Sequence, residues 1–415
     1  MKSSSLFFFL QLLVLSFIFG CSSSSKFTSR NDNIPGRNAS SPESNAIRVL
    51  MNDPSNYFSW TVESAVTISI DDRNFGIVNR GIRIDFVPDG DEISLKISNR
   101  SFSGKVITLA PVEYLIKFKG HLYRGTIKIF AENNLLSVVN SLSLEDYLKG
   151  VIPLEMPTGT NNENYEALKA FAICARTYSL NKLSENKTTF DVYIDTRDQV
   201  YGGVESEKEI TNRAVDETRG YILTFNGEPA VTYYSAACGG HTENVNNVFS
   251  TGGKDLPYLA GVKDGDEPYC SIAPRFEWEE EYTQSVFIDR LKSSGQIDNV
   301  NFIVNDIEVA SRFESGRVNE LRITLTSDVG DDKVVSLFGN NIRSVIRTAD
   351  NKGILRSNLF DVSMNDGKII IKGKGYGHGV GLCQWGSIYL SRDGWNYREI
   401  LAHYFPGTQI EKIHK

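Results

Sequence analysis

Four places in this chain carry residue types that could do chemistry. The densest is Gly373 to Gly386, GKGYGHGVGLCQWG, with five glycines before a closing sixth. Glycine loses more backbone entropy on folding than any other residue, so this density suits close backbone approach or positive φ better than a plain helix or strand. His378 adds a titratable ring, and Gln384 and Trp385 add an amide and a stacking surface. The segment reads as a wall of a sugar- or peptide-binding cleft. His378 is a candidate proton carrier, a hydrogen-bond donor to substrate, or a packed structural ring. The second place is Glu155 in Val151-Ile152-Pro153-Leu154-Glu155-Met156-Pro157. Its apolar neighbours would desolvate a carboxyl and raise its pKa toward the range of a general acid; the alternative is a surface glutamate in a turn. Third, Arg176 stands with Tyr178 in an apolar, alanine-rich stretch. A buried guanidinium needs a partner, either in a ligand site or in a structural ion pair.

The fourth place is Ser235-Ala236-Ala237-Cys238-Gly239-Gly240-His241-Thr242-Glu243. Cys238 and His241 are weak candidates for zinc, with Cys270 as a third ligand. A disulfide between Cys238 and Cys270 is the leading reading, and it would remove both thiolates. Cys174 and Cys383 read as buried, packed thiols. The glycine pair also suits a ligand-facing turn, with Ser235, His241 or Thr242 contacting sugar. No motif of a phosphate loop, a zinc protease or a serine hydrolase is present.

These residues need elements to hold them. A signal-like apolar run, Leu6 to Gly20, follows Lys2 and ends at Cys21. It is too short for a membrane span and fits a lipoprotein signal with Cys21 lipidated; the alternative is an ordinary signal peptide with an incidental cysteine. Residues 21–45 read as a Ser/Asn-rich tether. Residues 46–140 carry short β-branched runs, such as VTISI (66–70), ISLKI (93–97), YLIKF (114–118) and LLSVV (135–139), a β-rich region. From 141 to 277 comes a core. Ser143 caps an amphipathic helix that Pro153 ends or bends, and Asn164 to Leu183 is the strongest helix in the chain. YILTF (221–225), Asn226-Gly227 and AVTYYSA (230–236) read as a hairpin. Residues 278–360 form an α+β lobe, and 361–415 return to the core with a last helix at Tyr397 to Tyr404. The fold class is mixed α+β, β-rich, with a central buried helix. A net charge of −7 argues against a nucleic-acid partner.

Several motifs together resemble the stage II sporulation protein D family, which includes the amidase enhancer. They are SLEDYLKGVIPLEMP (143–157), EALKAFAICARTYSL (166–180), QVYGG (199–203), TRGYIL (218–223), YYSAACGGHTE (233–243), LPYLAGV (256–262) and GYGHGVGLCQWG (375–386). The resemblance implies a peptidoglycan lytic transglycosylase. Such an enzyme cleaves the bond between N-acetylmuramic acid and N-acetylglucosamine in peptide-stripped strands and leaves a 1,6-anhydro end. Glu155 would be its acid/base, with Arg176, Tyr178 and His378 positioning the sugar and Trp385 stacking on it. Some clostridial members hold zinc near the Cys-Gly-Gly element, and Cys238 and His241 match part of such a set; otherwise no cofactor is implied. The implied partners are glycan strands and a cell-wall amidase, at an extracytoplasmic, lipid-anchored location. Two alternatives stay open: a non-catalytic, peptidoglycan-binding enhancer of an N-acetylmuramoyl-L-alanine amidase, and a lipoprotein that only recognises sugar.

Overall fold

The computed structural model describes residues 46–185 and 189–413. The expected signal peptide, the lipidated Cys21 and the tether lie outside the described residues. The fold is mixed α+β, with several sheets and no closed barrel, as the alternation of short β-branched runs and one alanine-rich helix implies.

Alternation builds the first half. Strand Val66–Ile70 buries every second side chain, which puts one face of a pleated sheet in the core. It belongs to a seven-stranded sheet ordered 192–193, 46–50, 135–143, 126–132, 106–111, 66–70, 73–78. A four-stranded sheet of 58–61, 83–89, 92–97 and 100–104 shares its apolar core, through Phe86 and Leu95 against Ile68, Leu109 and Ile129. Of the run YLIKF, only Ile116–Phe118 is strand.

Strand Leu135–Ser143 runs straight into helix α1, Leu144–Glu155. Ser143 Oγ accepts from the Asp146 N–H at 3.2 Å and donates to the Asp146 carboxylate at 2.8 Å, the cap its sequence signals. Pro153 does not end α1. The helix continues to Glu155, because a proline near the last turn removes only one ladder bond, and the Met156 N–H still closes onto Ile152 O at 3.0 Å. Helix α2, Tyr165–Ser184, is central and buried, with Ala170 through Ala175 wholly enclosed. Helix α3, Glu209–Glu217, packs on both.

The expected hairpin is shorter than its sequence suggests. Asn226 and Gly227 take the positive φ of a tight turn, 53° and 82°. Pairing then stops after Thr224↔Pro229. Tyr221 to Thr224 pair instead with the C-terminal strand Gln409–Lys412, and Tyr234–Ser235 leave to pair in parallel with Leu382–Cys383.

The lobe has a second apolar core running from Trp278 to Ile371. Strands 277–283, 368–374 and 360–365 form one of its sheets, and 302–312, 318–327 and 332–338 another. Helices α4 (Gln284–Ser293) and α5 (Asn341–Ile346) complete it. Helices α6 (Gln384–Arg392) and α7 (Tyr397–Tyr404) return the chain to the first core.

Candidate functional site

Glu155 is the last residue of α1. Its Oε1 accepts from the Val200 N–H at 2.8 Å. Burial holds the carboxyl above the usual glutamate range, while the Val200 N–H and the neighbouring Gln384 amide pull it down. The negative end of the α1 dipole also disfavours a charge here.

Around Glu155 stand polar groups whose bonding is incomplete. Gln199 is wholly buried, and its Oε1 accepts from Ser179 Oγ at 2.8 Å and from Tyr147 OH at 3.4 Å. Gln199 Nε2, Tyr234 OH and Ser235 Oγ are buried with no hydrogen-bond partner, and Gln384 Nε2 is buried with only Glu155 near it, outside good hydrogen-bond geometry. Tyr234 lies close enough to Glu155 and Gln199 for both to act on its hydroxyl, and burial raises its pKa. A buried polar atom without a partner costs roughly 1–3 kcal/mol. Those of Gln199, Tyr234 and Gln384 lie near one carboxyl, which leaves hydrogen-bonding capacity there for a ligand or water. Gln199 and Tyr234 were not singled out from sequence, although QVYGG and YYSAA contain them. A signal was present: amide and hydroxyl side chains inside otherwise apolar and small-residue motifs.

The glycine-rich segment takes its glycines for a different reason than a ligand. Gly375, Gly377, Gly379 and Gly381 all have positive φ. A Cβ at Gly375 would lie 2.7 Å from Ala237 O, and one at Gly377 would lie 2.8 Å from Ser235 Cβ. The glycines let this segment lie against residues 233–238 of the same chain. It then enters α6, which the glycine density concealed. The pairing of Ser235 with Cys383 brings Ser235 and Gln384 to one wall. Trp385 is half-buried against the first core, and its backbone N–H donates to Ala236 O at 3.0 Å.

The remaining sequence candidates divide. Arg176 is wholly enclosed. Its Nε and Nη2 reach the Glu145 carboxylate at 3.0 and 2.8 Å, and Nη1 reaches Tyr221 O at 3.0 Å. The substrate-binding reading of Arg176 is therefore corrected to a structural ion pair that joins α1, α2 and the strand after α3. Tyr178 OH donates to Asp198 Oδ1 at 2.6 Å. Asp198 also accepts from the Tyr193 N–H at 2.9 Å and sits 3.5 Å from Lys182 Nζ. The His378 ring packs edge-on against Phe249, 5.0 Å between centroids, with Nδ1 accepting from the Val380 N–H. Enclosure, with Arg343 and Arg317 nearby, pushes its pKa down to about 3. Its packing on Phe249 and the favoured neutral form support the packed reading over the proton carrier. Thr242 is buried and exchanges bonds with Val262.

His241 Nδ1 bonds Thr242 O at 2.6 Å, and the residues around Cys238 that could hold a metal do not include His241. The residue lines an open cleft of about 1040 Å³ between the Cys-Gly-Gly turn and the lobe, with Lys263, Trp278, Glu314 and Lys372. Arg317 of the lobe ties this turn down through His241 O at 2.8 Å and through Cys238 O.

The expected Cys238–Cys270 disulfide is also corrected. Cys174, Cys238, Cys270 and Cys383 are all free. The Cys238 and Cys270 sulfurs stand 3.6 Å apart, against about 2.05 Å for a bond. A third thiol, Cys383, and the Asp264 carboxylate converge on them, and these four buried residues could coordinate a metal ion. Asp264 had no signal in the sequence beyond a loop rich in acids, and Cys383 read only as packing.

Comparison with known proteins adds the family. The Stage II sporulation protein family matches residues 132–225, and a domain of unknown function matches 269–381, which contains most of the lobe. An uncharacterized protein of Brachyspira hyodysenteriae is 36% identical over 293 residues, 69% of this chain and 72% of that protein. The amidase enhancer of Bacillus subtilis is 28% identical over 368 residues, 78% of this chain and half of that protein. Stage II sporulation protein D of the same organism is 26% identical over 294 residues, 66% of this chain and 76% of that protein. The chain belongs to the stage II sporulation protein D and amidase-enhancer family.

That membership corrects two expectations. The lytic transglycosylase reading does not stand, because the family relative whose name states an activity is an enhancer of an amidase, and none of these names states glycosidic cleavage. The membrane-lipoprotein reading is not carried by this family's names either. It rested on Cys21, which lies outside the described residues; separately, no described helix is long and apolar enough to cross a membrane.

Proposed function

We propose that this family member is a non-catalytic, peptidoglycan-binding enhancer of a cell-wall N-acetylmuramoyl-L-alanine amidase, working outside the cytoplasm at the wall. The observation that supports the binding half is the group of buried polar side chains around Glu155, namely Gln199, Tyr234 and Gln384, whose hydrogen bonding is incomplete within the fold. A glycan strand presents hydroxyls and amides that donate and accept at close spacing. It would supply the bonds these groups lack, and the half-buried Trp385 offers an apolar face to a sugar ring. The enhancer half rests on similarity to a protein named for it. An enhancer of this kind holds the glycan so that a separate enzyme meets the peptide linkage.

The test is a purified amidase acting on peptidoglycan with and without the full chain, paired with co-sedimentation of the chain on the same material. Faster release of peptides, with no 1,6-anhydro ends by mass spectrometry, is the expected result. Anhydro ends made by the chain alone, or no change in amidase rate despite binding, would overturn the reading.

A further inference from the structure

Cys238, Asp264, Cys270 and Cys383 come from four separate stretches of the chain. Cys238 opens the Cys-Gly-Gly turn, Asp264 lies in the following loop, and Cys270 sits in the short 3-10 turn 269–272. Cys383 immediately precedes α6. Cys270 and Cys383 are 32 and 145 residues from Cys238 in sequence. Yet all four are wholly buried, and one ligand atom from each lies within 4.8 Å of every other.

The spacing discriminates between explanations. Zinc bound tetrahedrally at about 2.3 Å from sulfur sets its sulfurs about 3.8 Å apart. The Cys238 and Cys270 sulfurs are 3.6 Å apart. Backbone donors also surround the sulfurs. The Cys238 N–H points at Cys383 Sγ (3.1 Å), Gly239 N–H at Cys270 Sγ (3.3 Å) and Gly240 N–H at Cys238 Sγ (3.5 Å). Donors of this kind stabilise thiolates that ligate a metal. The carboxylate is oriented as well, by Tyr404 OH on Oδ1 at 2.5 Å and the Cys270 N–H on Oδ2 at 3.2 Å. Three soft sulfurs and one oxygen suit zinc rather than magnesium or calcium.

We propose that these four residues bind one structural zinc ion, a closed site of three thiolates and the Asp264 carboxylate. Binding changes no oxidation state: the thiols release their protons to water as the sulfur–zinc bonds form. The position gives the ion a task. Cys383 adjoins Gln384 and pairs in register with Ser235, so the ion fixes α6 and the Cys-Gly-Gly turn behind the wall beside Glu155. The site stands on its own geometry, whatever that wall binds.

The test uses the full chain purified under reducing conditions without added chelator. Elemental analysis is expected to give about one zinc per chain, as one closed tetrahedral site requires. Cobalt replacing the zinc is expected to show sulfur-to-cobalt charge-transfer absorption. Asp264→Asn and Cys270→Ser should lower the metal content at least tenfold, and Cys174→Ser should leave it unchanged. If the cluster variants do not fold, alkylation of the wild type decides. Cys238, Cys270 and Cys383 should resist labelling until a chelator removes the metal. Folded protein without stoichiometric zinc after incubation with zinc, or with a disulfide among these cysteines, would overturn the site.

Discussion

Helix α1 carries an acid at each end, and the two ends differ in kind. In its first turn, Glu145 meets Arg176 through two bonds of 3.0 and 2.8 Å. The guanidinium also reaches Tyr221 O and Val215 O. In its last turn, Glu155 has the Val200 N–H, and the amides and hydroxyls around it keep atoms without partners. Saturated polar groups hold a fold together, whereas buried groups left incomplete keep capacity for water or a ligand. The contrast separates structure from function along twelve residues of one helix.

The largest expected effect tests the saturated end. Glu145→Ala leaves Arg176 buried without its carboxylate and should cost about 3–5 kcal/mol of stability by urea denaturation. A loss under about 1 kcal/mol would place this ion pair with exposed ones and erase the contrast. Next, Gly381→Ala forces a side chain into positive φ, 73°, and against Tyr233 O. It should destabilise by about 1–3 kcal/mol, a measure of how much the wall depends on that close approach.

At the open end, Glu155→Gln should change stability by less than about 1 kcal/mol while lowering glycan binding in co-sedimentation about tenfold, a loss of about 1.4 kcal/mol. A large stability loss with unchanged binding would reverse the assignment of the two ends.

The smallest effect is in pH dependence, where two groups oppose each other. The folded pKa of Glu155 is raised by burial. Its contribution to stability is full below the unfolded value, about 4.3, and is lost as pH rises through the raised folded value. His378 is depressed to about 3 in the fold. Its contribution is present above the unfolded value, about 6.5, and is lost as pH falls from there toward about 3. Thermal melts across this range should lose the acid-side decline in His378→Gln and the rise toward acid in Glu155→Gln.

How much of this was legible beforehand follows from range. The cap at Ser143, the enclosed α2 and the Asn226-Gly227 turn are local matters, set by neighbouring residues, and were readable. Continuation of α1 past Pro153 was not, because one missing N–H near a helix end costs little and packing covers it. Start of α6 inside glycine-rich sequence was hidden for a similar reason: Gly386 in its first turn meets Asp264 and Tyr404, contacts no local pattern reports. Cys238 and Cys270 were recognisable as neighbours, but thiols brought close by a turn look the same whether a disulfide or a metal awaits them.

By itself, the sequence determined the α+β class, the family motifs and the central helix, and it singled out Glu155 as a candidate. Those depend on periodicity, propensity and residue type, which act over a few residues. Tertiary structure alone decided that Arg176 serves Glu145, that His378 packs on Phe249, and that Asp264 and Cys383 join Cys238 and Cys270. Partners of a polar group are chosen by distance in space. Chain segments that meet across 145 residues, as Cys238 and Cys383 do, leave no trace in the spacing of their letters.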